Sequence, residues 1–117
     1  MKLPIFSLLL GVVTAAIVGS ACSVGTPLSE HSCPQGGPVV TYETFGKSFF
    51  DDYCVRCHGG PNGYSSRSFT SVDSIRVDRE RIFINAAADN QAMPPGPDGP
   101  SQRERDTLAD WLACGAP

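Results

Sequence analysis

A chain of 117 residues with nine Lys and Arg against twelve Asp and Glu, a net charge of −3, has room for one domain and is a poor match for nucleic acid. Its 41 % hydrophobic content excludes a wholly disordered chain and leaves an ordinary globular protein.

The N-terminus reads as an export signal over residues 1–21. Met1-Lys2 supplies a short positive start, Ile5 to Val18 an apolar run broken by Ser7, Gly11 and Thr14, and Gly19-Ser20-Ala21 a small-residue cleavage region. The run is short for a membrane span, which needs about 20 apolar residues. Cleavage after Ala21 would remove Lys2, leave a net charge of −4 and make Cys22 the first residue. Val18-Gly19-Ser20-Ala21-Cys22 resembles the lipobox of bacterial lipoproteins, which implies a diacylglyceryl anchor on Cys22 and attachment to a membrane. Gly19 stands where that family prefers Leu, and the Gly19-x-Ala21 spacing also suits ordinary signal peptidase. Lipidation, plain secretion and a retained anchor stay open. Each places the mature chain outside the cytoplasm, and a membrane-anchored periplasmic lipoprotein is the expectation.

Residues 22–40 are rich in Ser, Gly and Pro and show no helical or strand period, so they read as a flexible tether. His31 lies within it. A lone histidine in such a segment reads as a solvated side chain rather than a metal ligand.

Residues 41–117 form the domain. Thr41 is placed to cap a first helix from Tyr42, with Phe45, Phe49 and Tyr53 along one face. Gly46 and Phe50 share the neighbouring stripe, where a glycine admits a second helix closely. Asp51 and Asp52 are adjacent on the helix and do not face each other, so they read as solvated surface rather than a catalytic pair.

Next comes Cys54-Val55-Arg56-Cys57-His58, the C-x-x-C-H signature of covalent c-type haem attachment. Two thiols suit addition across two vinyl groups, and the imidazole beside them is a proximal iron ligand. Two other readings use the same residues. A thiol-disulfide oxidoreductase would place its C-x-x-C beside a βαβ pattern, which is missing here. A zinc site would need a fourth ligand from Cys33 or Cys114, far along the chain.

Gly59-Gly60-Pro61-Asn62-Gly63 ends the helical run, and a carbonyl of the ensuing loop is expected to accept from His58 Nδ1. The loop shows no periodicity to about Asp73. A second helix is expected from Asp78, with Val77 and Ile82 as a hydrophobic staple and Glu80 in the first turn. Ile82, Phe83, Ala86 and Ala87 follow at helical spacing and read as pocket wall or core.

Met93-Pro94-Pro95-Gly96-Pro97 is a stiff extended segment. Met93 is the only methionine left once Met1 is removed, and a Pro-Gly loop is a poor place for a core filler, so it is the second iron ligand by this reading. Ser101 with Glu104 forms a capping box for the last helix, Leu108, Trp111 and Leu112 give its apolar stripe, and Gly115 its stop. Trp111 reads as packing between the first and last helices. With Cys54 and Cys57 given to haem and Cys22 to lipid, Cys33 and Cys114 remain as an even pair. A disulfide between them is one reading and two free thiols the other.

Taken in order, the C-x-x-C-H motif, the turn after it, Met93-Pro-Pro and Leu108-x-x-Trp111-Leu112-x-x-Gly115 resemble a small class I cytochrome c over residues 41–117. The resemblance implies an all-α fold whose first and last helices cross beside one haem c, thioether-bound through Cys54 and Cys57 and ligated by His58 and Met93. It implies a one-electron carrier serving redox protein partners, with no catalytic residues. The alternative is a haem enzyme subunit or gas sensor with an open or displaceable sixth ligand.

Overall fold

The computed structural model describes residues 25–61, 63 and 65–117. The expected export signal and Cys22 lie outside the described residues. Those described contain helices and loops but no strand, and no helix long and apolar enough to cross a membrane.

Thr41 starts the first helical run, as its residue type predicts. Its hydroxyl accepts from Thr44 N at 3.3 Å while its own N–H donates to Thr44 Oγ1 at 2.8 Å, satisfying two donors that a helix start otherwise leaves open. The run opens as a wide π-type turn over Tyr42–Gly46 and continues as α1, Lys47–Tyr53. A break at Cys54 separates it from α2, the short helix Val55–His58.

Beyond the motif, the loop expected to about Asp73 gives way at Val72 to a helix that was not expected ahead of the one from Asp78, α3, Val72–Val77. Ser71 and Ser74 cap it reciprocally, with Ser74 N donating to Ser71 Oγ at 3.2 Å. The next helix, α4, spans Arg79–Ala86, close to the expected position. Its expected staple is absent: Val77 is 85 % exposed while Ile82 is buried. Asp78 does not cap α4 through its side chain, because its carboxylate is paired with Arg67.

The last helix, α5, spans Gln102–Ala113 and carries the expected capping box, with Ser101 N and Oγ both donating to Glu104 Oε2 at 2.8 and 2.7 Å. Gly115 at φ +90° turns the chain out of the helix, and Ala116 N then closes back on Trp111 O at 2.9 Å.

The N-terminal and C-terminal helical runs pack on each other through Trp111, which is fully buried. Gly46 lies so close to it that an added Cβ would sit 3.0 Å from the indole, which is the close approach expected of that glycine. Phe50 adds a ring contact at 6.3 Å, Trp111 Nε1 donates to Pro117 O at 3.0 Å, and Tyr53 OH donates to Glu104 Oε1 at 3.2 Å.

Residues 25–33 depart from the expected free tether. Leu28 sits in a one-turn 3₁₀ helix, Leu28–Glu30, and is buried, while Thr26 O accepts from the buried Asn90 Nδ2 at 3.0 Å. His31 is not a free solvated side chain: its Nε2 lies 2.8 Å from Asp110 Oδ1 on α5, and its ring lies against Phe83. Cys33 is disulfide-bonded to Cys114, across 81 positions of sequence. Closing so long a loop restrains the unfolded chain, so a Cys33→Ser/Cys114→Ser variant should unfold in urea with stability lower by about 2–4 kcal/mol. An unchanged midpoint and slope would show that the packed leader holds without its covalent link.

Candidate functional site

A cavity of about 260 Å³ opens between α1, the Cys54–His58 segment, α4 and the Met93 loop. One water occupies about 30 Å³ of liquid, so the hollow is several waters in size, just under the about 300 Å³ at which organic-ligand pockets begin, and its largely apolar lining favours an organic group over water. Phe49, Phe50, Phe69, Ile82 and Ala86 supply much of its apolar wall.

Cys54, Cys57, His58 and Met93, separated by up to 39 positions in sequence, all line this one cavity. Cys54 N–H donates to Phe50 O and Cys54 O accepts from His58 N at 2.8 Å, so the motif continues the α1 backbone through its break. Both thiols are free, in contrast to the bonded Cys33 and Cys114. Burial pushes the Cys54 thiol up to about 12. A thiol that attacks disulfides needs the opposite shift, toward the thiolate, so this environment argues against redox exchange at C-x-x-C. Among the described residues no group of three or more His, Cys, Asp or Glu side chains converges as a metal-binding cluster.

His58 is fixed by two contacts from the loop that follows it. Its Nδ1 donates to Arg67 O at 3.1 Å, and Phe69 stacks on its ring at 4.5 Å with the planes 22° apart. Phe69 N also donates to His58 O at 2.8 Å. With Nδ1 engaged by a carbonyl, Nε2 is the nitrogen left with a lone pair for a metal. The expected acceptor was a carbonyl of the loop after the motif, and the structure identifies it as that of Arg67.

Met93 is 44 % exposed, an unusual setting for a methionine serving only as core. Its backbone is nevertheless held at both ends: Met93 N donates to Asn85 O at 2.7 Å, and Met93 O accepts from Arg105 Nη1 at 2.9 Å. Arg105 is 5 % exposed and also donates to Ala86 O at 2.8 Å and Asn90 O at 3.1 Å. One buried guanidinium thus ties the end of α4 to the Met93 segment from α5. No carboxylate pairs with it among the described residues. Burial accordingly draws its pKa down from the usual arginine value.

Sequence reasoning missed Arg105. In Gln102-Arg103-Glu104-Arg105-Asp106 it reads as one more charge on a solvated helix face. The available signal was its position three residues before Leu108, which puts it on the buried stripe.

The donor set is therefore an imidazole with its free nitrogen defined, a thioether on a braced loop and two unoxidised thiols, all around an apolar hollow. These residues fit a covalently attached haem. Such a site on an all-helical scaffold defines the class, a monohaem class I cytochrome c domain. Residues 43–112 match the family described as cytochrome c oxidase, cbb3-type, subunit III, and the chain belongs to that family. Membership implies covalent haem c and electron transfer. Comparison with curated proteins and with solved structures gives no match.

Proposed function

We propose that this chain is a one-electron carrier that works outside the cytoplasm, with haem c bound through Cys54 and Cys57 and ligated by His58 and Met93. The observation that carries the reading is the convergence of these four side chains on one apolar cavity. When bound, the haem supplies an iron that cycles between ferric and ferrous states, and a methionine ligand favours the reduced one.

The remaining work falls to the chain. Cys54 and Cys57 hold the group against loss. The Arg67 carbonyl keeps the proton on His58 Nδ1 and so keeps Nε2 available in both redox states. Asn85 and Arg105 hold the Met93 backbone, so its thioether need not be repositioned on each transfer. Phe49, Phe50 and Ile82 exclude water from the site. A site filled by two protein ligands needs neither a proton donor nor a nucleophile.

The extracytoplasmic location is supported by the Cys33–Cys114 disulfide, which suits an oxidising compartment. A lipid on Cys22 is part of the proposal and concerns a residue outside those described.

The test is the absorption spectrum of the full chain produced with a haem-attachment system. Haem retained through denaturing extraction, with a far-red band in the ferric protein that Met93→Ala abolishes, is the expected result. Covalent haem lacking that band, together with rapid and complete carbon monoxide binding in the reduced protein, would replace the carrier with an open-site enzyme or sensor.

A further inference from the structure

The last turn of α4 offers its carbonyls to donors from outside the helix. Asn85 O accepts from Met93 N at 2.7 Å, Ala86 O from Arg105 Nη1 at 2.8 Å and Phe83 O from Asn90 Nδ2 at 3.0 Å. Asn90 stands between the Met93 segment and the leader. It is 6 % exposed, and the same Nδ2 that reaches Phe83 O also donates to Thr26 O at 3.0 Å. An amide nitrogen has two hydrogens, and these two carbonyls engage both. The backbone O of Asn90 accepts from Arg105 Nη1 at 3.1 Å, and that nitrogen also serves Ala86 O and Met93 O. Two hydrogens on Nη1 therefore face three carbonyls, so the place of any one carbonyl sets how well the other two are served.

The leader reaches Asn90 under restraint at its far end, where Cys33 is bonded to Cys114 and His31 Nε2 lies 2.8 Å from Asp110 Oδ1. At its near end Gly25 lies against Asn90 and α4. An added Cβ there would sit 2.0 Å from Asn90 Oδ1 and 2.7 Å from Ile84 O, so any larger residue lifts this end of the leader.

We infer that Asn90 is a positioning residue through which the packed leader holds Met93 in place as an iron ligand. The inference rests on the electron-carrier reading and adds to it a control on the methionine ligand. A leader that merely covered apolar surface would stabilise the fold without bearing on Met93. The hydrogen bonds make the difference: Thr26 O fixes the Asn90 side chain, the Asn90 carbonyl holds its share of the Arg105 guanidinium, and that guanidinium holds Met93 O. Without Thr26 O one hydrogen of a buried amide has no acceptor, a cost relieved when the residue shifts toward water and takes its carbonyl from Arg105.

In the test, the ferric haem-loaded full chain is titrated with imidazole, which competes with the Met93 thioether for the iron. Loss of the far-red band gives an apparent dissociation constant. Gly25→Ala lifts the leader and leaves residues 41–117 unchanged, while Asn90→Ala removes the link from the other side. Each should bind imidazole about 3- to 10-fold more tightly than the parent, the range expected of groups coupled through a shared partner. The two together should do no more than the stronger alone, since both break one link. Thr41→Ala removes a helix cap outside the cavity lining, and should lower stability to urea with the imidazole constant unchanged. Hydrogen exchange at the Met93 amide of the ferrous protein is a second readout, and Gly25→Ala should speed it by a similar factor. A Gly25→Ala chain that loses stability but binds imidazole as the parent does would overturn the inference and leave the leader as packing alone. So would additive effects of the two variants, or an equal shift in Thr41→Ala. Should Asn90→Ala not fold, Gly25→Ala decides by itself. A parent chain without covalent haem, or without the far-red band, would fail earlier, at the electron-carrier reading, and remove the inference with it.

Discussion

Full-length chain carrying Cys54→Ala and Cys57→Ala, produced alongside a haem-attachment system, is expected to release all haem on denaturing extraction and to lose most of its helical circular dichroism. The first effect follows from chemistry, because no thiol is left at the motif to form a thioether. The second follows from packing. The described core is small, and several of its members, Phe49, Phe50, Phe69, Ile82 and Ala86, also face the cavity. Without the flat apolar group between them, these side chains border a hollow of about 260 Å³ that nothing apolar fills, and a domain of this size has little surplus apolar burial to offset the lost packing. Four-residue α2 and six-residue α3 are too short to persist on propensity alone. A variant with native-like helicity and cooperative unfolding would show that the helices form a complete core without the cofactor.

Arg105→Leu is expected to do more damage than any surface change of similar size. It leaves the carbonyls of Ala86, Asn90 and Met93 without their shared donor. Buried acceptors stranded in this way cost about 1–3 kcal/mol each, and partial access of water to the exposed Met93 reduces the sum, so a loss of about 3 kcal/mol is the expectation. The informative readout is spectroscopic. With the α5 tie to Met93 gone, the ferric far-red band should be lost at a lower pH than in the parent protein. Arg105→Lys should restore part of the stability and part of the band, because an ammonium has three donors but lacks the planar fork. A leucine variant that is destabilised yet keeps the parent pH profile of the band would limit Arg105 to a structural role and leave the prolines to hold Met93.

The sequence made the short-range features readable. Thr41 and Ser101 act as caps because the residues that answer them lie three positions on, and Gly46 and Trp111 were readable because only one side of each helix is apolar. The C-x-x-C-H motif stands out by residue type and spacing, and Met93, singled out by its Pro-Gly loop, lines the same cavity. Features set by partners distant in sequence were not readable. Asp78 was expected at a helix start, but Arg67, eleven residues earlier, engages its carboxylate. Val77 has the right residue type for a staple, but α3 ends there and leaves it in solvent. The helix α3 carries only Val72, Ile75 and Val77 as apolar residues, too few to show a period, although Ser71 and Ser74 already stood at capping distance. His31 and Leu28 sit in a stretch whose composition reads as a linker, and only contacts with α4 and α5 show that it is packed.

The packed leader changes what a lipid at Cys22 would mean. Nineteen free residues would let the domain wander about 60 Å from its anchor. With Thr26 O held by the buried Asn90 and Leu28 in the core, a lipid on Cys22 would lie four residue steps from a packed position, a reach of about 14 Å at full extension. A chain lipidated there would not sweep the periplasm on a leash. It would sit against the bilayer with the leader side facing down, and its partners would have to meet it within the plane of the membrane.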